Sequence, residues 1–225
     1  MKSHNYDYLP QNKLVAVVEI ADATQAIPLC RALYAGGVNA IEITLRTAQA
    51  LAAVKAAAVY TKAENLKLKI GAGTLLSVDD MNAALDAGAD FLVSPAAPLA
   101  LLHAFAENLA LRNVPLSMLI PGVATPSEAM QAYGMGFHVV KFFPAEASGG
   151  VPWLKSVAGP LPHIRFMPTG GVREATLRTY TDLPNVVAVG GTWLAPAVDI
   201  THGLWAEIEQ RTNVAVALLS NTKII

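Results

Sequence analysis

His138-Val139-Val140-Lys141-Phe142-Phe143-Pro144 is a short apolar run interrupted by a single lysine. Runs of this length and composition read as strands, and the amphipathic pattern that follows it, near Val151–Val157, reads as a helix. The period of two of a strand puts Val139, Lys141 and Phe143 on one face and Val140 and Phe142 on the other. Lysine is almost never buried without a reason, so the first of those faces carries chemistry that has to be explained.

The same strand-then-helix rhythm extends over most of the chain. Eight strand candidates stand at Leu14–Ile20, Ala40–Thr44, Lys69–Ala72, Phe91–Ser94, Leu116–Ile120, His138–Phe143, Ile164–Met167 and Val186–Val189. Helical patterns lie near Gln25–Ala35, Ala48–Tyr60, Val78–Ala87, Leu99–Asn108, Ser127–Tyr133, Val151–Val157, Glu174–Thr179 and Thr201–Leu219. Ala35-Gly36-Gly37, Ala87-Gly88-Ala89 and Gly134-Met135-Gly136 each fall where a helix ends, a place where the chain leaves through a left-handed residue. Eight strands each followed by a helix fit an α/β chain folded as a single (β/α)8 TIM barrel. An open doubly wound sheet shares the local units, but the count of eight and the lack of a dinucleotide fingerprint favour the barrel. The expected division is an N-terminal extension over 1–12, a barrel core over 13–200, and a C-terminal helix and tail over 201–225, all in one domain.

Composition sets the outer bounds. Of 225 residues 53% are hydrophobic and 15% charged, which suits a globular chain with a large core rather than a disordered one. Sixteen Lys and Arg against seventeen Asp and Glu leave a formal net charge of −1, so no global field would hold a nucleic acid or an anionic membrane. No run of about 18 apolar residues is present, which argues against a membrane span. Cys30 stands alone and cannot form an intramolecular disulfide, and the N-terminus lacks the apolar stretch of a secretory signal. A reducing, cytoplasmic compartment is expected.

In (β/α)8 barrels the active site lies at the C-terminal ends of the strands. Strand two ends Ile41-Glu42-Ile43-Thr44-Leu45-Arg46-Thr47, and alternation turns Glu42 inward with Ala40 and Thr44 while the isoleucines meet the helices. An inward, desolvated carboxylate is either a general acid/base or a structural partner for Arg46 or a barrel lysine. Lys141, walled by Phe143 and neighbouring strands, is either the amine that attacks a ketone to form a Schiff base or the structural partner of Glu42, and one pair could serve as both. Glycine-bearing ends complete the rim: Gly71-Ala72-Gly73-Thr74, Pro168-Thr169-Gly170-Gly171 and Gly190-Gly191-Thr192-Trp193. Glycines after strands seven and eight let backbone N–H groups approach an anion such as a phosphate, although tight turns also use glycine for backbone reasons. The five histidines show no metal-ligand spacing, Cys30 sits in a helical apolar stripe as a core residue, and Trp153, Trp193 and Trp205 are expected to pack.

These segments, taken in order, resemble the 2-keto-3-deoxy-6-phosphogluconate (KDPG) and 4-hydroxy-2-oxoglutarate (KHG) aldolase family over about residues 13–200. The motifs are A-G-G-V-N-A-I-E-I-T-L-R-T, G-A-G-T, V-S-P, P-G-V-A-T-P-S-E, V-K-F-F-P-A-E-A-S-G-G, F-M-P-T-G-G-V and V-G-G-T-W-L. The resemblance implies a metal-free, cofactor-independent class I aldolase assembled as a homotrimer, acting on a phosphorylated keto acid and releasing pyruvate. It further implies that Lys141 is the Schiff-base lysine and Glu42 the acid/base, working through a water. Arg46 and Thr74 would hold the pyruvyl carboxylate, and Thr169, Gly170, Gly171, Gly190, Gly191 and Thr192 the aldehyde portion and its phosphate. Pro95 and Phe143 complete the substrate-binding set.

Three positions depart from the family pattern. Thr192 stands where many relatives carry serine, Ala96 follows Pro95 where glycine is frequent, and Glu19 puts an acid at a rim position that relatives often make apolar or basic. A carboxylate there opposes an anionic ligand by about 1 kcal/mol or less in water and by more where water is excluded. Alternatives are therefore a pyruvate aldolase for the galactonate epimer or for unphosphorylated keto acids, or a silent barrel that only binds a phosphorylated metabolite. The retention of Lys141, Glu42 and Arg46 together speaks against the silent barrel.

Overall fold

The computed structural model of the chain describes residues 9–220. In chain order its strands are β1 (Leu14–Val18), β2 (Ala40–Thr44), β3 (Lys69–Gly73), β4 (Phe91–Val93), β5 (Leu119–Ile120), β6 (Gly122–Val123), β7 (Val139–Phe142), β8 (Arg165–Pro168) and β9 (Val189–Gly191). The helices are α1 (Ala26–Ala35), α2 (Ala50–Ala63), α3 (Val78–Asp86), α4 (Leu99–Leu111), α5 (Pro126–Gly134), α6 (Gly150–Ala158), α7 (Leu177–Thr181), α8 (Ala197–Thr201) and α9 (Trp205–Ser220). Six strands form one parallel sheet in the order β5-β4-β3-β2-β1-β9, and β6-β7-β8 form a second parallel sheet. The expected parallel α/β architecture is present.

Several expected boundaries move for local reasons. The fifth strand, expected over Leu116–Ile120, begins with a 3-10 turn at Leu116–Met118 after Pro115 and divides into β5 and β6 around Pro121, which has no N–H to give a ladder. Only the Pro121 carbonyl takes part, accepting the Lys141 N–H at 2.8 Å. The eighth strand begins at Val189, with Val186 in an isolated parallel bridge to Phe166 and Thr169 in another to Gly190. Gly190 and Gly191 accordingly lie within a strand and not in the turn after it. The last helix, expected as one piece over Thr201–Leu219, is broken into α8 and α9 by Gly203 at φ +67°. The helix-exit glycines Gly37, Gly88 and Gly136 adopt φ of 93°, 92° and 96°, as the sequence required. Residues 1–8 and 221–225, parts of the expected extension and tail, lie outside the described residues.

Alternation sorts the core into two clusters. Val15, Ala40, Phe91, Val93, Ile120, Val139, Met167 and Ala188 form one, on the inner face of the strands. Ile41, Ile43, Val140 and Phe142 belong to a larger cluster shared with the helices, where Trp153 stacks on Phe142 with ring centroids 4.2 Å apart. Each fully buried Ile, Val or Phe contributes about 1.5–3 kcal/mol, enough for the pattern to fix which face of each strand turns inward. No helix among the described residues is long and apolar enough to cross a membrane.

Candidate active site

Glu42 and Lys141 come from opposite sheets and meet on the inner side of the strands. Glu42 has no exposed surface, Lys141 is 4% exposed, and the ammonium nitrogen lies 3.0 Å from Glu42 Oε1. The same nitrogen stands 5.3 Å from the centroid of the Phe143 ring, which is the apolar wall that alternation assigned to it. Glu42 Oε2 is buried with no hydrogen-bond partner. A lone buried oxygen of this kind is costly in a purely structural pair and is available to another hydrogen-bond donor. Of the partners open to Glu42, the structure selects the lysine, because Arg46 is drawn to Glu19 at 3.1 Å.

Space for the Glu42 carboxyl comes from β3. Thr44 pairs with Gly73 in the parallel ladder, and a Cβ on Gly73 would lie 2.1 Å from Glu42 Oε1. Sequence reasoning noted this glycine as part of a rim and missed its role as the floor under the carboxylate. Thr74, the next residue, has φ +64°, a left-handed conformation that costs a side-chain-bearing residue of order 1 kcal/mol or more. Pro95 and Phe143 line a cavity of about 280 Å³ together with Ala96, Gly122 and Val123.

The other glycine turn is held from below. Thr169 is buried and its Oγ1 has no partner. Gly170 and Gly171 follow at φ +97° and +83°, a backbone that only glycine adopts without strain. The loop after β7 is fastened to this turn, since the Ala145 N–H donates to the Thr169 carbonyl at 2.8 Å and the Glu146 N–H to that of Gly170 at 3.0 Å. Glu146 then accepts a hydrogen bond from the buried Tyr180 hydroxyl, and burial together with that carboxylate raises the phenol above its usual range. Neither Glu146 nor Tyr180 was singled out from sequence; a glutamate in the F-F-P-A-E segment was the available signal. Gly190 and Gly191 make room in another way: a Cβ would meet Thr169 Oγ1 at 2.2 Å in the first case and the Trp193 ring at 2.3 Å in the second. Thr192 is exposed beside them. Trp193 packs on Gly191 as expected, but its buried indole N–H lacks a partner.

A buried amine hydrogen-bonded to a buried carboxylate on parallel strands is the equipment of an enzyme that works through an imine. A model of the family described as KDPG and KHG aldolase matches residues 6–211. The 2-dehydro-3-deoxy-phosphogluconate aldolase of Pseudomonas aeruginosa is 42% identical over 204 residues, covering 91% of this chain and 88% of that protein. Among solved structures, the KDPG aldolase of Legionella pneumophila, with pyruvate captured at low pH as a covalent carbinolamine intermediate, superposes with a TM-score of 0.83 at 35% identity over 94% of this chain and 98% of that one. The Zymomonas mobilis enzyme with 3-phosphoglycerate gives a TM-score of 0.79 at 34% identity, over 94% and 93%. The chain belongs to the KDPG and KHG aldolase family.

Proposed function

We propose that this chain is a class I aldolase, a lyase that cleaves 2-keto-3-deoxy-6-phosphogluconate to pyruvate and glyceraldehyde 3-phosphate and also splits 4-hydroxy-2-oxoglutarate to pyruvate and glyoxylate. The observation that carries the reading is the buried 3.0 Å contact between Lys141 Nζ and Glu42 Oε1. Through it the ammonium can pass a proton to the carboxylate and become the neutral amine that attacks the substrate's C2 carbonyl. Glu42 returns that proton to the carbinolamine hydroxyl, which leaves as water and gives the iminium. Ionised again, Glu42 takes the proton of the C4 hydroxyl as the C3–C4 bond breaks. The bonding pair flows into the iminium to form an enamine, and the aldehyde departs. Protonation of C3 by Glu42 and addition of water then release pyruvate and the free lysine.

The remaining assignments follow the resemblance. Arg46 and Thr74 hold the pyruvyl carboxylate, Pro95 and Phe143 wall the keto acid, and Thr169, Gly170, Gly171, Gly190, Gly191 and Thr192 receive the aldehyde and its phosphate. In favour of the last group stands the unpartnered Thr169 hydroxyl beside two left-handed glycines. We read the two sheets as arcs of one closed (β/α)8 barrel and one domain. Supporting this are the parallel bridges of Phe166 to Val186 and of Thr169 to Gly190 on one side and the near-continuity of β5 and β6 around Pro121 on the other. A homotrimer in the cytoplasm belongs to the same proposal, and sedimentation of the purified chain would give the subunit number.

The test is borohydride reduction in the presence of pyruvate, followed by intact mass and peptide mapping. Wild-type protein gains one reduced pyruvyl adduct on Lys141. Lys141→Met gains none and loses turnover; it keeps the apolar stem but leaves the buried Glu42 carboxyl without its partner, a loss of about 3–5 kcal/mol, so folding of the variant is checked alongside by circular dichroism. A reducible adduct on the variant would refute the assignment.

A further inference from the structure

We infer that Glu19 sets the affinity of the site for keto acids, a built-in carboxylate that competes with the carboxylate of an incoming keto acid for Arg46. The inference rests on the reading of Arg46 given above and adds to it the residue that the structure pairs with it.

The backbone on both sides of Glu19 is fixed. The Val18 carbonyl accepts the Thr44 hydroxyl at 3.1 Å, and the Ile20 carbonyl accepts the Thr47 hydroxyl at 2.5 Å. The hydroxyls come from the last residue of β2, the strand that carries Glu42, and from the loop just after it, and Arg46 stands between them with its own N–H donating to the Thr44 carbonyl at 2.8 Å. Glu19 and Arg46 thus hang from one hydrogen-bonded rim, and their carboxylate and guanidinium meet at 3.1 Å.

The pair is open to exchange. The side chains are 38% exposed for Glu19 and 63% for Arg46, so a ligand carboxylate can reach the guanidinium. The swap is of like for like, one carboxylate replacing another, and the displaced Glu19 is then left as a second anion near the first. Charge at this end of the site already cancels, with Lys141 facing Glu42 and Arg46 facing Glu19. Pyruvate holds the site only by its small keto-acid end and feels the competition in full. A longer substrate has further contacts with which to offset it. Glu19 therefore favours release of the product over its retention.

An exposed pair of this kind is weak, so its removal changes affinity by about three- to five-fold. The experiment compares wild type, Glu19→Gln, Arg46→Ala and the double variant. It reads the pyruvate concentration that half-saturates borohydride inactivation and the steady-state constants for KDPG and 4-hydroxy-2-oxoglutarate. Glu19→Gln lowers the half-saturating pyruvate about three- to five-fold and lowers KM for both substrates, with kcat within two-fold. In the Arg46→Ala background the same replacement has a clearly smaller effect, as a double-mutant cycle shows for residues acting on each other, and an undiminished effect there overturns the inference. Unchanged or weaker pyruvate binding by Glu19→Gln overturns the inference. So does a gain confined to the phosphorylated substrate, which would make Glu19 a repeller of phosphate, and so does a lower kcat/KM with pyruvate unaffected, which would make it a ligand for substrate hydroxyls. Failure of pyruvate to trap wild-type protein refutes the imine chemistry and this inference together, whereas failure only in the variant comparison refutes Glu19 alone.

Discussion

Replacing Gly73 by alanine tests whether the position of the Glu42 carboxyl, and not merely its presence, sets the rate. The added methyl would lie 2.1 Å from Oε1 and 2.7 Å from both Cδ and Cγ, so the carboxyl has to move by about 1.3 Å to reach an ordinary 3.4 Å contact. The backbone cannot give way, because Glu42 is paired with Val17 of β1 on one side and Gly71 of β3 on the other. The side chain must rotate instead, and its 3.0 Å contact with Lys141 is broken or re-aimed. Misplacement of a reacting group by about 1 Å costs on the order of 100-fold in rate. The extra methyl also overpacks the interior by about 1–3 kcal/mol, equivalent to roughly 2–12 °C in melting temperature for a chain of this size. The assay is the initial rate of pyruvate release at saturating substrate, with thermal unfolding followed separately. Gly71→Ala is the control, since the atoms its methyl would meet first are those of the Phe91 ring at 2.3 Å, whereas the Gly73 methyl meets the Glu42 carboxyl first. The reasoning is refuted if Gly73→Ala keeps kcat within about five-fold of wild type, or if Gly71→Ala loses as much.

Two further outcomes follow from the same geometry. Gly171→Ala forces a side chain into φ +83° and against the Glu146 stem at 2.6 Å; kcat/KM for the phosphorylated substrate should fall at least about ten-fold while that for 4-hydroxy-2-oxoglutarate stays within about three-fold, and equal losses would make the turn purely structural. Burial pushes the Cys30 thiol up to about 12, leaving roughly one molecule in 10⁴ as thiolate at pH 8, so iodoacetamide should leave the native protein unlabelled and active and label it fully in denaturant, as read by intact mass.

Alternation was enough to place Lys141 and Glu42. Val139 and Ala40 fall in the inner cluster and Val140, Phe142, Ile41 and Ile43 in the outer one, so the facing of Lys141 and Glu42 could be read before any coordinates existed. Their contact was one of the alternatives the sequence left open, with Arg46 as the rival partner of Glu42, and it is the curvature of the sheets that decides it across 99 residues of chain. The strand at Leu116–Ile120 was misplaced because an apolar run does not reveal where prolines on both sides remove the ladder donors. The partner of Glu19 was hidden for a different reason. Glu19 and Arg46 meet only because β1 and β2 are neighbours in register, Val18 opposite Ile43. The Tyr180 strut beneath the Gly170-Gly171 turn depends in the same way on helix α7 packing under a loop that precedes it by some thirty residues.

The glycines teach a sharper distinction. Sequence alone treats Gly73, Gly170, Gly171, Gly190 and Gly191 as one kind of signal, a rim made for close approach, and leaves Gly122 as a loop glycine without a role. The backbone divides them. Gly170 and Gly171 have left-handed φ and form a turn, whereas for Gly73, Gly122 and Gly190 no such conformation demands glycine. What demands it there is a neighbour: Glu42 over Gly73, the Pro95 carbonyl 2.1 Å from where a Gly122 Cβ would stand, and Thr169 over Gly190. Each of the three lies in a strand and pairs laterally with another, so the missing side chain lets a functional group from the adjacent strand or loop lean across the ladder. Gly122 pairs with Lys141 itself, and the room it leaves brings Pro95 down beside the lysine's strand. A glycine inside an apolar strand of this fold is thus a mark of the residue beside it, and the way to find that residue is to read across the register rather than along the chain.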